Sequence, residues 1–343
     1  MPYLPAPGME ALELITELSE RWVLRRLSRI ELSVIPPWMA EGLATANRHE
    51  HSLHVAQLAM ITAKRLGIDE VLLSVSALLH DAGCGPFPHI TDELMFLMLS
   101  RSPDGELSLL EAHLDPDEVF DIVAGRHELS PLISGSGIDL DNADNIYRYI
   151  ATMPSLPIGP PSYRPIEIAL SISVSEDRTL VPEELALRWA RDRGRIYGFL
   201  EMHEGNISCW TMISRALRLL LDDITEDFFT LGNREAFAAI REELPELAEG
   251  ILSKEYTLVA AFSLRDPPFP CPRDRGDWRE LELLEESIRS ELGIPDWAIG
   301  VEILRSKACP PWEEGPWRAY LVLSRSCLLY TSDAADDGES VDL

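Results

Sequence analysis

The sequence predicts a mainly α-helical body followed by a small α+β module. Two observations carry that expectation. Apolar residues recur at three- and four-residue steps through the first two thirds of the chain, with capping residues and glycines at helix-length intervals. After about Lys254 the pattern changes to runs rich in β-branched and aromatic residues, separated by proline clusters. The expected organisation is a helical domain over 1–253, a small α+β module over 254–325, and a non-native or disordered tail over 326–343.

Taken in order, ALELITELSERWVLRRLSRIEL reads as one helix ending before Pro36-Pro37. A second helix is expected from about Glu50 to Leu66, stopped by Gly67, and a third from the cap Asp69 to Gly83. Helical patterns follow in DELMFLMLS, DPDEVFDIVAG, the stretch around NADNIYRYIATM, EELALRWARDRGRIYGFLEMHEG, ISCWTMISRALRLLLDDI and NREAFAAIREELPELAEGIL. The proline-rich MPSLPIGPPSYRPIEIAL reads as an irregular loop or short hairpin. In the module, YTLVAAFSLR, AIGVEILR and WRAYLVLS read as strands, with the acidic helix RELELLEESIRSELG between the first two. From about Ser326 the chain fits neither part. It reads as an appended tail, which would leave the natural C-terminus missing.

Composition narrows the function. With 58 acids against 30 bases the formal charge is −28, and only Lys64, Lys254 and Lys307 are lysines. Such a surface repels phosphate backbones and anionic lipid, which argues against nucleic acid and membranes as partners. The N-terminus lacks the basic start and apolar stretch of a signal peptide, so a cytoplasmic location is expected. The five cysteines lack CxxC spacing and read as free thiols.

Four residues carry the chemistry: His51, the adjacent His80 and Asp81, and Asp141, in the settings RHEHSLHVAQLA, SALLHDAGCGPFPH and GIDLDNADNIYRYI. Two imidazoles and two carboxylates suit one divalent transition metal, and Mn, Fe, Co, Ni and Zn all accept such a set. His51 falls on the inward stripe of its helix. Adjacent side chains diverge by about 100° on a helix, so His80 and Asp81 reach one ion only near the helix end.

RHEHSLHVA, LLHDAGCGPFPHITDEL and GIDLDNADNIYR resemble the HD-domain superfamily and, more narrowly, its deoxynucleoside triphosphate triphosphohydrolases. The resemblance covers roughly residues 45 to 150 and implies an HD-type helical bundle. It also implies His51, His80, Asp81 and Asp141 as metal ligands, Arg48 and Arg148 as contacts to substrate phosphates, and His89 and Asp92 as a catalytic pair beside the scissile phosphate. The implied substrate is a small nucleotide or other phosphoester, and family members commonly form homo-oligomers. The chain departs from the family pattern at Cys84, Asn142, Asn145 and Tyr149, and His113 is only a weak match to a further catalytic histidine. The metal site is thus kept while several substrate-reading groups change. Two alternatives stand beside a dNTP triphosphohydrolase: a phosphatase releasing one phosphate, and a catalytically weak nucleotide-binding regulator. Cys84 as a nucleophile, His54, His127 and the cluster Arg188, Arg191, Arg193, Arg195 rank lower.

Overall fold

A computed structural model describes residues 9–91, 114–135, 137–153, 159–175, 178–264, 278–308 and 315–327. The chain opens with α1 (Met9–Ser19), α2 (Trp22–Arg25) and a 3₁₀ turn (Arg26–Arg29). The single helix expected here is therefore broken. Glu20 and Arg21 turn the chain through bonds back to the Glu17 and Leu18 carbonyls.

Two helices form the frame of the site. In α3 (Arg48–Leu66), Asn47 caps the first turn by accepting from the Glu50 amide, and Gly67 ends the helix at φ 72°. In α4 (Glu70–Leu79), Asp69 accepts from the Val71 and Leu72 amides. This helix stops at Leu79 rather than at Gly83. The chain tightens there into successive i+3 bonds, Ala82 N–H to Leu79 C=O and Cys84 N–H to Asp81 C=O. The buried Arg26 guanidinium holds that turn by donating to the Ala82 and Cys84 carbonyls, both at 2.7 Å.

Next come α5 (Pro116–Val123), α6 (Ser130–Ile133) and α7 (Leu140–Thr152). Asp139 caps α7, and Tyr163 anchors it by donating to the Ala143 carbonyl at 2.6 Å. Within the proline-rich stretch the chain forms a short helix, α8 (Pro165–Ala169), because Pro165 suits a first helical position. The hairpin lies just beyond it, β1 (Ser173–Ser175) against β2 (Arg178–Leu180). Two long helices follow, α9 (Glu183–Leu200) and α10 (Glu204–Leu219). The last expected helix of the body is split by Pro245 into α11 (Asn233–Glu243) and α12 (Pro245–Leu252).

The module is an antiparallel sheet of β3 (Tyr256–Leu264), β4 (Ile299–Arg305) and β5 (Trp317–Ser324), in the order β3-β5-β4, with α13 (Trp278–Leu292) on one face. Val301 and Ile303 face α13 through Leu281 and Ile288. The opposite face lies on α10, and Gly300 permits that approach. A Cβ there would sit 2.8 Å from Thr211 Cγ2 and 2.9 Å from Met212 Sδ. A buried ion cluster ties module to body: Glu285 of α13 receives Arg215 and Arg218 of α10, each at 2.6 Å.

One apolar core surrounds α1, α3, α4, α7 and α9, and a second joins α10, α11 and α12 to Tyr256 and Val322 of the sheet. Ser326 and Cys327, the first two residues of the expected tail, are held here: the Ser326 amide donates to Glu255 and Cys327 is buried. The helix expected in DELMFLMLS and the rest of the tail lie outside the described residues. No helix of the described residues is long and apolar enough to cross a membrane.

Candidate metal centre

His51 enters from the first turns of α3, where it is buried with Val55, Leu58 and Thr62 on the inward stripe. His80 and Asp81 follow the last residue of α4, where the chain tightens into i+3 turns. One donor atom from each of His51, His80 and Asp81 lies within 4.8 Å of the others. Asp141, on the first turn of α7, adds an oxygen 2.9 Å from His51 Nε2 and 3.7 Å from His80 Nε2. The helix N-terminus favours that carboxylate.

Both histidines have one nitrogen committed away from the centre. His80 Nδ1 donates to the Ala77 carbonyl at 2.7 Å, which leaves Nε2 as the lone-pair nitrogen. His51 Nδ1 donates to Asp144 Oδ2 at 2.7 Å. A histidine backed by a carboxylate is the usual outer support of a metal ligand. Asp144 is fully buried and also receives His54 Nδ1 and Arg148 Nε, the latter at 2.6 Å.

The fit to a cation rests on unspent acceptors. His80 Nε2 and Asp81 Oδ2 are buried and have no hydrogen-bond partner. They lie 3.6 Å apart. Burying such atoms without a partner costs free energy that a shared cation would recover. The donor set of imidazole nitrogen and carboxylate oxygen suits a divalent transition metal.

Electrostatics tighten the cluster. Burial opposes charge on His51, yet the carboxylates of Asp141 and Asp144 raise its pKa to about 10. Burial likewise opposes ionisation of Asp81, but Arg48 and then His80 hold its carboxyl well below the usual range. Asp139 goes the other way: burial, then the charge of Asp141, pushes it up to about 8 despite amide donors from Gly135 and Asn142.

The remaining expected site residues are arranged around this centre. Arg48 is buried and donates to Asp81 Oδ1 at 2.8 Å and to Cys84 Sγ at 3.3 Å. Arg148 is spent on Asp144 and the Glu50 carbonyl. His89 is exposed at the rim of an adjoining cavity, on a turn where Phe87 and His89 both have positive φ, 52° and 67°. Non-glycine residues seldom adopt that conformation, and it recurs at functional turns. Asp92 and His113 lie outside the described residues. His127 sits beside Glu118, with 3.7 Å between Nε2 and Oε1. Arg188 and Arg195 are paired with Glu167 and Asp192.

Asp144 was not among the expected site residues. It is signalled by its spacing, three residues after Asp141 and four before Arg148, which stacks all three on one face of α7.

The comparisons agree with this geometry. Residues 48–149 match the HD domain. The chain is also similar to curated proteins called deoxyguanosinetriphosphate triphosphohydrolase-like. The one from Geobacter metallireducens is 44% identical over 109 residues, 32% of this chain and 26% of that protein. The one from Rhodopseudomonas palustris is 43% identical over 61 residues, 18% of this chain and 15% of that protein. The chain thus matches about a quarter or less of the length of these relatives. Among solved structures, a phosphohydrolase from Bacteroides thetaiotaomicron superposes with a TM-score of 0.62 at 17% identity, over 90% of this chain and 95% of that one. A hypothetical protein from Aquifex aeolicus gives 0.67 at 15% identity, over 93% and 94%. These two show a shared fold across nearly the whole chain.

Proposed function

We propose that this chain is a divalent-metal-dependent phosphohydrolase of nucleotides, with dNTPs, cleaved to deoxynucleoside and tripolyphosphate, as the leading substrates. The observation that carries the reading is the convergence of His51, His80, Asp81 and Asp141 around two buried acceptors that lack partners. The names of the curated relatives, deoxyguanosinetriphosphate triphosphohydrolase-like, support the reaction class.

A divalent ion held by these four residues would supply Lewis-acid chemistry for phosphoester hydrolysis. The chain's own residues do the rest. Asp144 and the Ala77 carbonyl fix both imidazoles so that Nε2 of each faces the centre. Arg48 holds Asp81 in place and adds positive charge where phosphate oxygens would lie. Arg148 braces Asp144, and a contact to the substrate phosphates is the further role proposed for it. His89, exposed at the cavity rim, is the candidate proton donor to the leaving oxygen, with Asp92 as its proposed companion.

A second reading, release of a single phosphate from another small phosphoester, is favoured by Tyr149. Where the resemblance implies an acid, this side chain is buried and donates its hydroxyl to the Leu32 carbonyl at 3.2 Å. A nucleotide panel supplied with Mn²⁺ and resolved by anion exchange separates the two, with Asp81→Ala as control. Tripolyphosphate with deoxynucleoside supports the first reading and orthophosphate the second. Undiminished metal-dependent hydrolysis in the variant would sink the site assignment.

A further inference from the structure

Beside the metal centre, a cavity of about 360 Å³ opens between α7, α9, α10 and β4. That volume falls within the roughly 300–1,000 Å³ of small-molecule sites. Helix α7 links it to the centre, since Asp141, Asn145 and Tyr149 recur at four-residue steps on one face. The first belongs to the metal cluster, and the other two line the cavity.

Its walls combine ring surface with hydrogen-bond acceptors. Tyr149, Tyr197 and Trp210 supply the rings. Asn145 contributes a buried amide oxygen with no hydrogen-bond partner. The C-terminal module contributes Glu302, a carboxyl group 6% exposed on the face of β4 that lies on α10, two residues after Gly300. A carboxyl is costly at a packed sheet–helix face. Here it is kept with the Ile303 amide as a donor at 3.2 Å and with Arg218 and Ser214 nearby. Asn145 and Glu302 thus bring acceptors to a cavity that Arg305 and Lys307 also line, and those acceptors attract groups that carry N–H.

We propose that this cavity takes the organic part of the substrate and that Glu302 selects a planar ring presenting N–H donors, the amino edge of a nucleobase. The inference rests on the nucleotide phosphohydrolase reading and deepens it: the HD helices hold the phosphates, and the module reads the base. A site built to receive a hydrogen bond rejects an analogue that lacks the donor, because its buried acceptors are then left unpaired.

Nucleoside binding tests the proposal without requiring metal or turnover. Calorimetry on the full chain compares deoxyguanosine with deoxyinosine, and deoxyadenosine with purine deoxyriboside, each pair differing by one amino group. The amino-bearing member of at least one pair should bind about tenfold more tightly. In Glu302→Gln, with an unchanged melting temperature, that gap should shrink below about threefold. Equal affinities within both pairs, no nucleoside binding, or a preference that persists in Glu302→Gln would each overturn the proposal. If Glu302→Gln does not fold, the native comparison decides alone. Metal-dependent phosphate release with no nucleoside preference would leave the hydrolase reading standing and remove only this one. Failure of all hydrolysis beside a clear preference would do the reverse.

Discussion

At the residue scale, Asp144 organises the site more than any single expected ligand. It fixes His51 from behind and is itself held by His54 and Arg148. Asp144→Asn should weaken divalent-metal affinity by about 10–100-fold while the ligands remain in place. Equilibrium dialysis with Mn²⁺ checks this, and unchanged affinity would reduce Asp144 to a packing role. The His51 pKa, raised from 6.5 to about 10 in the metal-free protein, makes a pH prediction with a definite sign. A group whose pKa is raised on folding contributes stability that is complete below its unfolded value and is lost as pH rises through the folded one. The melting temperature of chelator-treated protein should therefore decline between about pH 6.5 and pH 10. Metal binding must displace the same proton, so metal affinity should fall as the solution is acidified.

At the element scale, the turn after α4 carries His80 and Asp81, and Arg26 braces it from fifty or so residues upstream. Arg26→Met should cost about 1–3 kcal/mol by leaving the Ala82 and Cys84 carbonyls without their donor. Chemical denaturation measures it, and a neutral result would mean that water replaces the guanidinium. Much at this scale is legible in the sequence. Asp69, Gly67 and the apolar spacing mark α3 and α4 because capping and burial are local signals. The early end of α4 is not legible, because it depends on Arg26 reaching back across the chain. The break between α1 and α2 was equally hidden: SERW carries no proline or glycine, and packing decides it. The split at Pro245 could have been read from the proline alone. At the site, His51, His80, Asp81 and Asp141 stand out by residue type, whereas Glu302 does not, since nothing in AIGVEILR says which face of β4 meets a cavity.

At the scale of the whole molecule, the module and the helical body share a buried ion cluster. Removing one partner of such a cluster leaves an uncompensated buried charge. Glu285→Gln should therefore lower stability by about 3–5 kcal/mol, read as a shift of the denaturation midpoint, with body and module unfolding together. A separate early transition confined to the module would mean that the two parts are energetically independent. The net charge of −28 has its own consequence. Self-repulsion among exposed carboxylates is screened by salt, so the melting temperature should rise as NaCl increases from about 0.05 to about 0.5 M. The same field disfavours an anionic substrate at long range. Under the proposed function the metal centre must offset it locally, which makes the cation central to the phosphate chemistry. Calorimetric titration of chelator-treated protein with Mn²⁺, run beside Asp81→Ala, tests that claim most directly. One high-affinity ion per native chain and none in the variant is the predicted result; native protein that binds no ion, or a variant that binds it equally well, would contradict it.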